Sequence, residues 1–288
     1  MKTIFSVIML FSMSILGFSQ TGKMILVEGG SFDMGSSTGD ADEKPVHKVT
    51  LSSFYICEHE LTVSEYMEYT AAAGKKMPNP PDDEWLETHP ETKKFYTSPT
   101  KKWWGWKENY PMHNVTWYDA IDYCNWRSQK EGLEKCYSKN EDGGWDCDLG
   151  KKGYRLPTES EWEFAARGGK LSSGFAYAGS GNSKEVAWYD ETTLLSGPKA
   201  IKQKKANELG LYDMSGNVWE WCNDYYTKDY YKYSNNSTNP MNSKAQPYRV
   251  IRSGGWHYQG SFATITSRDG PEATYTNYNY GFRLARSK

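Results

Sequence analysis

The sequence predicts an α+β chain, rich in loops, in which a few helices support a small β core. Three observations carry that expectation. Three helix starts repeat one spacing, Thr62-x-x-Glu65, Thr116-x-x-Asp119 and Thr158-x-x-Glu161. Short strand-like segments precede and follow them. Beyond Gly169, glycine, asparagine and tyrosine dominate and no helical period lasts more than a turn or two.

Taken in order, residues 1–19 read as a processing segment. Lys2 supplies the positive end, residues 4–16 an apolar run too short to span a bilayer comfortably, and Gly17 and Ser19 the small residues ahead of cleavage before Gln20. Residues 20–288 then form a single domain, expected to be exported to the periplasm, cell surface or medium. Residues 24–27, Phe32 with Met34, 46–51 and 54–56 read as strands. At each helix start the threonine hydroxyl can accept a free first-turn N–H, and the acid three residues on can reach back to the threonine N–H. Gly74, Gly132 and the Gly168-Gly169 pair supply the stops. Residues 77–112 hold six prolines and four tryptophans, which argues against a regular element and for an insertion. Within it, residues 101–107 mix lysine with tryptophan. Residues 249–252 and 282–285 are the last strand-like pieces.

The bulk numbers exclude some functions. A formal net charge of -2 gives no electrostatic case for nucleic acid, and no later stretch is apolar and long enough to span a membrane. Five cysteines occur, Cys57, Cys124, Cys136, Cys147 and Cys222. An exported chain meets oxidising conditions, and an odd number leaves at least one thiol unpaired. Cys136 and Cys147 flank a polar, glycine-containing loop, so a disulfide is expected there, closing a loop worth roughly 3 kcal/mol. The aromatic fraction is 15%. Its densest use is the segment 210–221, where two Trp, a Tyr, two carboxylates and two Gly suggest a fixed-geometry turn or a specific surface rather than a plain strand.

The ordered motifs carry a resemblance. They are Phe32-Asp33-Met34-Gly35-Ser36, Pro45-Val46-His47-Lys48-Val49-Thr50-Leu51, Glu60-Leu61-Thr62-Val63, the run Gly153-Tyr154-Arg155-Leu156-Pro157-Thr158-Glu159 through Gly169, the 210–221 segment, residues 249–256 and Gly281-Phe282-Arg283-Leu284-Ala285. Together they resemble the formylglycine-generating enzyme family, the sulfatase-modifying-factor domain, over almost the whole mature chain. The resemblance implies a modified C-type-lectin-like fold with a small antiparallel core sheet and a few packed helices. It makes Arg155 available for a buried ion pair.

The active members hold copper(I) through two cysteine thiolates, soft donors suited to that ion. Those thiolates belong in residues 256–280, which contain no cysteine; Gln259 and Ala263 or Thr264 stand near their places. Copper-dependent formylglycine formation is therefore not expected. A second branch binds iron through His-x-x-x-His-x-Glu, a spacing that His47, His59, His89, His113 and His257 do not make. The family's calcium site carries over better. Asp213 and Glu220 would give carboxylates, Gly216 and Val218 backbone carbonyls, the hard oxygens that calcium takes. Its other calcium site would fall near residues 185–197, too loosely to carry residues over.

The leading reading is a non-catalytic binding or assembly module for protein, peptide or glycan at the cell surface. Its expected ligand site is Trp256, His257, Tyr258, Arg268 and Asp269, with no catalytic residue assigned. The alternative is an oxidoreductase of the family with a different metal or chemistry, in which His257 and Asp269 act as acid and base. A plain structural surface protein is the third reading.

Overall fold

The computed structural model describes residues 22–79, 106–194 and 196–288. The expected processing segment and the greater part of the 77–112 insertion, including Lys101 through Gly105, lie outside the described residues.

Strand β1 (Met24–Val27) leads into β2 (Gly30–Met34), β3 (His47–Leu51) and β4 (Phe54–Cys57). Helices α1 (Val63–Ala73) and α2 (Trp117–Lys130) follow, then β5 (Tyr137–Lys139), β6 (Trp145–Cys147), β7 (Tyr154–Arg155) and α3 (Glu159–Ala166). The two short helices α4 (Ser183–Val186) and α5 (Asp190–Thr193) precede β8 (Trp219–Tyr225), β9 (Ser237–Thr238), β10 (Arg249–Arg252), β11 (Arg268–Asp269), β12 (Tyr280–Gly281) and β13 (Ala285–Ser287). The chain is thus α+β.

All three threonine starts form reciprocal capping boxes. Thr62 Oγ1 accepts from Glu65 N at 3.3 Å while Glu65 Oε2 accepts from Thr62 N at 2.8 Å. Asp119 and Glu161 complete the same exchange with Thr116 and Thr158. Each box satisfies two backbone groups that a helix start otherwise leaves orphaned, worth about 1 kcal/mol. Gly74 ends α1 in the left-handed region, φ 64°.

Two four-stranded sheets organise the domain, in the orders β1-β4-β13-β7 and β11-β10-β8-β12. A smaller sheet runs β2-β3-β9, and β5-β6 is a hairpin. One apolar cluster packs α1 and α2 against Trp219, Trp221 and Phe282. Another packs Val27, Val49 and Phe54 against Trp162 and Phe164 of α3. Every residue of α3 is buried. Its three glutamates are therefore matched by buried arginines. Arg155 grips Glu161 at 2.6 and 2.7 Å, Arg268 grips Glu159 at 2.6 and 2.8 Å, and Arg252 reaches Glu159 at 3.1 Å and Glu163 at 2.7 Å. Charges in a low-dielectric core are tolerable only with such partners.

Three expectations need correction. The 210–221 segment is not only a turn: its last three residues open β8, the longest strand described, and six of the seven β8 residues are buried. Burial on both faces removes the alternation by which a strand is recognised. The final strand is Ala285–Ser287 rather than 282–285. Cys136 and Cys147 are not joined; all five cysteines are free thiols. The hairpin register explains this. Tyr137, not Cys136, stands opposite Cys147, and Cys136 O accepts from Asp148 N. An offset of one residue in a ribbon sends the two side chains to opposite faces.

Candidate functional site

Around the 210–218 turn, four residues take positive φ: Gly210 (80°), Asp213 (55°), Gly216 (78°) and Asn217 (62°). A Cβ on Gly216 would lie 2.2 Å from Trp188 O, so only glycine fits this close approach. The turn delivers Asp213 inward. Its Oδ2 accepts from Lys202 N at 2.8 Å, while Oδ1 is buried without a partner. Gly216 O accepts from Ser253 Oγ at 2.9 Å. Val218 N and Asn217 Nδ2 both donate to Glu60, at 3.1 and 2.7 Å. Glu220 is fully buried and held by Arg283, with Nε to Oε2 and Nη2 to Oε1 each 2.6 Å, and by Trp162 Nε1 at 2.7 Å.

Glu60 and Arg283 are functional neighbours that the motif reading quoted without assigning a role. The only signal in the sequence was their place beside fixed points, Glu60 ahead of the α1 cap and Arg283 within Gly281-Phe282-Arg283. Burial pushes the Asp213 carboxyl up to about 6, against the pull of Lys202 N and Arg283. Glu60 is raised well above the usual range, first by burial and then by Asp213 and Glu220. Three buried carboxylates thus share one buried guanidinium.

The five expected ligand residues do not form one surface. Trp256 is fully buried and its Nε1 donates to Tyr278 O at 3.1 Å. His257 stacks on Tyr258 at 4.5 Å between centroids and lies 3.5 Å from Asn279 Nδ2. Tyr258 meets Trp219 edge-on at 5.8 Å, and burial raises its phenol to about 12. Arg268 turns away into the α3 network. Asp269 is exposed on the edge strand β11, opposite Ile251, where it accepts from Gly270 N.

A cleft of about 890 Å3 opens elsewhere, between the loop after β2, the turn before α4 and the segment 259–266. None of those five residues lines it. Its walls include Gln259 and Thr264, two of the three residues that stand near where the resemblance would put the copper thiolates, beside Phe175, Tyr177 and Phe262. Ala263, the alternative to Thr264, is buried. No cysteine lines this cleft. Burial also raises Cys57 and Cys147 to about 12 and Cys222 well above the ordinary thiol range. Buried thiols held protonated are poor soft-metal donors. The loop after β2 is braced from behind: Gly35 N donates to Glu163 Oε1 at 2.9 Å and Arg167 Nη2 to Gly35 O at 2.9 Å.

Among the described residues no helix is long and apolar enough to cross a membrane. Among the same residues no three His, Cys, Asp or Glu side chains converge as metal ligands.

The family model for the sulfatase-modifying factor enzyme 1-like domain matches residues 16–288. The chain is 35% identical over 296 residues to a chaperone protein, LppX, of Paenibacillus barcinonensis, covering 92% of this chain and 89% of that protein. It is 31% identical to the serine/threonine-protein kinase pkn1 of Chlamydia pneumoniae, covering 92% of this chain but only 38% of the kinase. A formylglycine-generating enzyme of Streptomyces coelicolor is 26% identical over 92% of this chain and 89% of its own length. Among solved structures, Treponema denticola variable protein 1 superposes with a TM-score of 0.74 at 28% identity, covering 92% of this chain and 95% of that one.

Proposed function

This chain belongs to the sulfatase-modifying factor enzyme 1-like domain family, and from that premise we propose that it is an exported binding or assembly module at the cell surface or periplasm, not a copper-dependent oxidase. One observation carries the reading. Near the two expected thiolate positions, Gln259 and Ala263 or Thr264, the cleft is lined by the amide of Gln259 and the hydroxyl of Thr264, while Ala263 is buried. Neither is a soft donor, and every cysteine lies outside the cleft. What remains is a concave surface of the size that ligands use, with aromatic side chains and convergent polar groups. The similarity to a protein named a chaperone, over nearly its full length, supports binding over catalysis.

The test is direct. The mature chain, loaded with Cu(I) and given a sulfatase-type cysteine peptide and O2, should leave the peptide mass unchanged. Aldehyde in the mass spectrum would overturn the reading.

Calcium is proposed as a structural ion beside Asp213. The fit rests on the buried, unpartnered Asp213 Oδ1 and on the excess of carboxylates there. Gly216 and Val218 would add carbonyl oxygens. Glu220 fits less well, because Arg283 and Trp162 already use most of its acceptor capacity. The ion would supply the missing positive charge and fix the turn. Calcium should raise the melting temperature over that in chelator, and Asp213→Asn should remove the difference. Identical melts in calcium and chelator would remove the ion from the reading.

A further inference from the structure

Six arginines are buried among the described residues. Five are matched by glutamates: Arg127, Arg155, Arg252, Arg268 and Arg283. The sixth, Arg249 at the head of β10, is 4% exposed and makes no ion pair among the described residues. Its guanidinium is clamped between two rings instead, with Cζ 3.7 Å from the centroid of Trp117 and 3.4 Å from that of Tyr225. Nη1 donates to Asn223 O at 2.6 Å. Nε is buried without a partner. Nη2 makes no hydrogen bond either but, unlike Nε, is not sealed from the surface. Burial pulls Arg249 below the usual arginine range, whereas Glu161, Glu159 and Glu220 raise Arg155, Arg268 and Arg283 in spite of burial. A buried charge without a counter-charge is costly, and the two ring faces offset only part of that cost.

The clamp is rigid. Arg249 stands opposite Tyr225 in the β8–β10 pair, and Trp117, the first residue of α2, is tied through Nε1 to Cys222 O at 3.0 Å. It also dictates how a partner approaches. A ring covers each face, so only the edges are open, and Asn223 O occupies the Nη1 side. The Nε and Nη2 edge remains: two parallel N–H groups, the fork that a carboxylate fills with its two oxygens. No residue nearby supplies that carboxylate. Neighbouring Asp224 is already used, with Oδ2 accepting from Glu159 N at 2.7 Å and Oδ1 from Asn242 N at 2.8 Å, and burial pushes its carboxyl up to about 7. Phenols flank the clamp at the surface: Tyr225 itself, half-buried, and Tyr118, 40% exposed and edge-on to Trp117 at 5.5 Å. A phenol donates to an oxygen and offers a ring for apolar packing. None of these residues lines the 890 Å3 cleft.

We propose that Arg249, held between Trp117 and Tyr225, anchors a second binding site, apart from the cleft, that takes the carboxylate of an acidic ligand side-on at Nε and Nη2. The carboxylate meets Nη2 at the surface and settles against Nε. The two rings hold the fork in orientation before the ligand arrives, so little freedom is lost on binding. Tyr118 stands at the entrance.

The experiment is an NMR titration of the isotope-labelled full chain, read at the Arg249 Nε–H and Trp117 Nε1–H cross-peaks. The probes are acetate, glucuronate, the methyl ester of glucuronate and inorganic phosphate, at fixed ionic strength. Both carboxylates should move the two peaks to saturation, and the neutral ester should bind about tenfold more weakly or not at all. Glucuronate at least about tenfold tighter than acetate puts the carboxylate on a sugar; a smaller ratio makes the ligand a small free acid, and the anchor stands in either case. An unmoved Nε–H peak, an ester that binds as well as the acid, or phosphate tighter than both carboxylates would overturn the assignment. Arg249→Lys keeps the charge and loses the fork, so glucuronate should weaken about tenfold or more at the Trp117 peak; unchanged affinity sinks the proposal. Since that buried change could disturb folding, Tyr118→Asp at the exposed entrance gives an independent reading. The added charge should weaken the acid about fivefold and leave the ester unaffected. Acid binding indifferent to that charge would count against the site.

Discussion

Two buried sets of charge, both built on arginine and carboxylate, end in opposite states. Around α3, Glu159, Glu161 and Glu163 meet Arg155, Arg167, Arg252 and Arg268. Burial works against the charge on Glu159, yet Arg268 and Arg252 outweigh it and hold the carboxyl below its usual range. Around the 210–218 turn, among the described residues only Glu220 has an ion-pair partner, Arg283; Arg283 and Lys204 pull weakly on Asp213, and both Glu60 and Asp213 are pushed upward. The first set is closed and behaves as scaffold. The second is short of positive charge, which supports the proposal of a calcium ion there. Being buried and charged does not mark a site; being buried, charged and uncompensated does.

The largest effect that would break this comparison comes from the closed set. Arg252→Met should strip Glu163 of a 2.7 Å partner and cost about 3–5 kcal/mol, read as a lower urea midpoint. A loss under about 1 kcal/mol would mean the network is not closed. A middle-sized effect sharpens the open set through pH. The folded Asp213 carboxyl titrates at about 6, above its ordinary value of 3.8. The native state therefore binds the proton more tightly than the unfolded chain. In chelator, stability should be greatest at or below about pH 4 and fall as pH rises through 6, by on the order of 1–3 kcal/mol. Asp213→Asn should flatten that slope, and calcium should flatten it without a mutation; a slope unchanged by either would disconnect Asp213 from the deficit. The smallest effect lies at the rim of the closed set. Thr158→Ala removes the α3 cap and should cost about 1 kcal/mol in thermal unfolding, without changing the pH dependence.

What the sequence made legible follows from what is local. The capping boxes at Thr62, Thr116 and Thr158 need only residues three apart, and all three formed. Strand β8 stayed hidden because its residues face protein on both sides, leaving no period to read. The Cys136–Cys147 pairing failed because a spacing says nothing of which ribbon face a side chain takes. The site divided in the same way. Gln259 and Ala263 or Thr264 could be placed by their order between residues 249–256 and Gly281-Phe282-Arg283. The partners Glu60–Asn217 and Glu220–Arg283 are separated by 157 and 63 residues, and such pairings are set by topology alone.

The segment 280–287 supplies β12 to one large sheet and β13 to the other, with Arg283 between them on Glu220. Of all the strands in the two sheets, these two come last in the chain. Without them neither large sheet has its full complement of strands, and Glu220 lacks its guanidinium. One short segment therefore couples the two sheets, so that a lesion in it is felt by both.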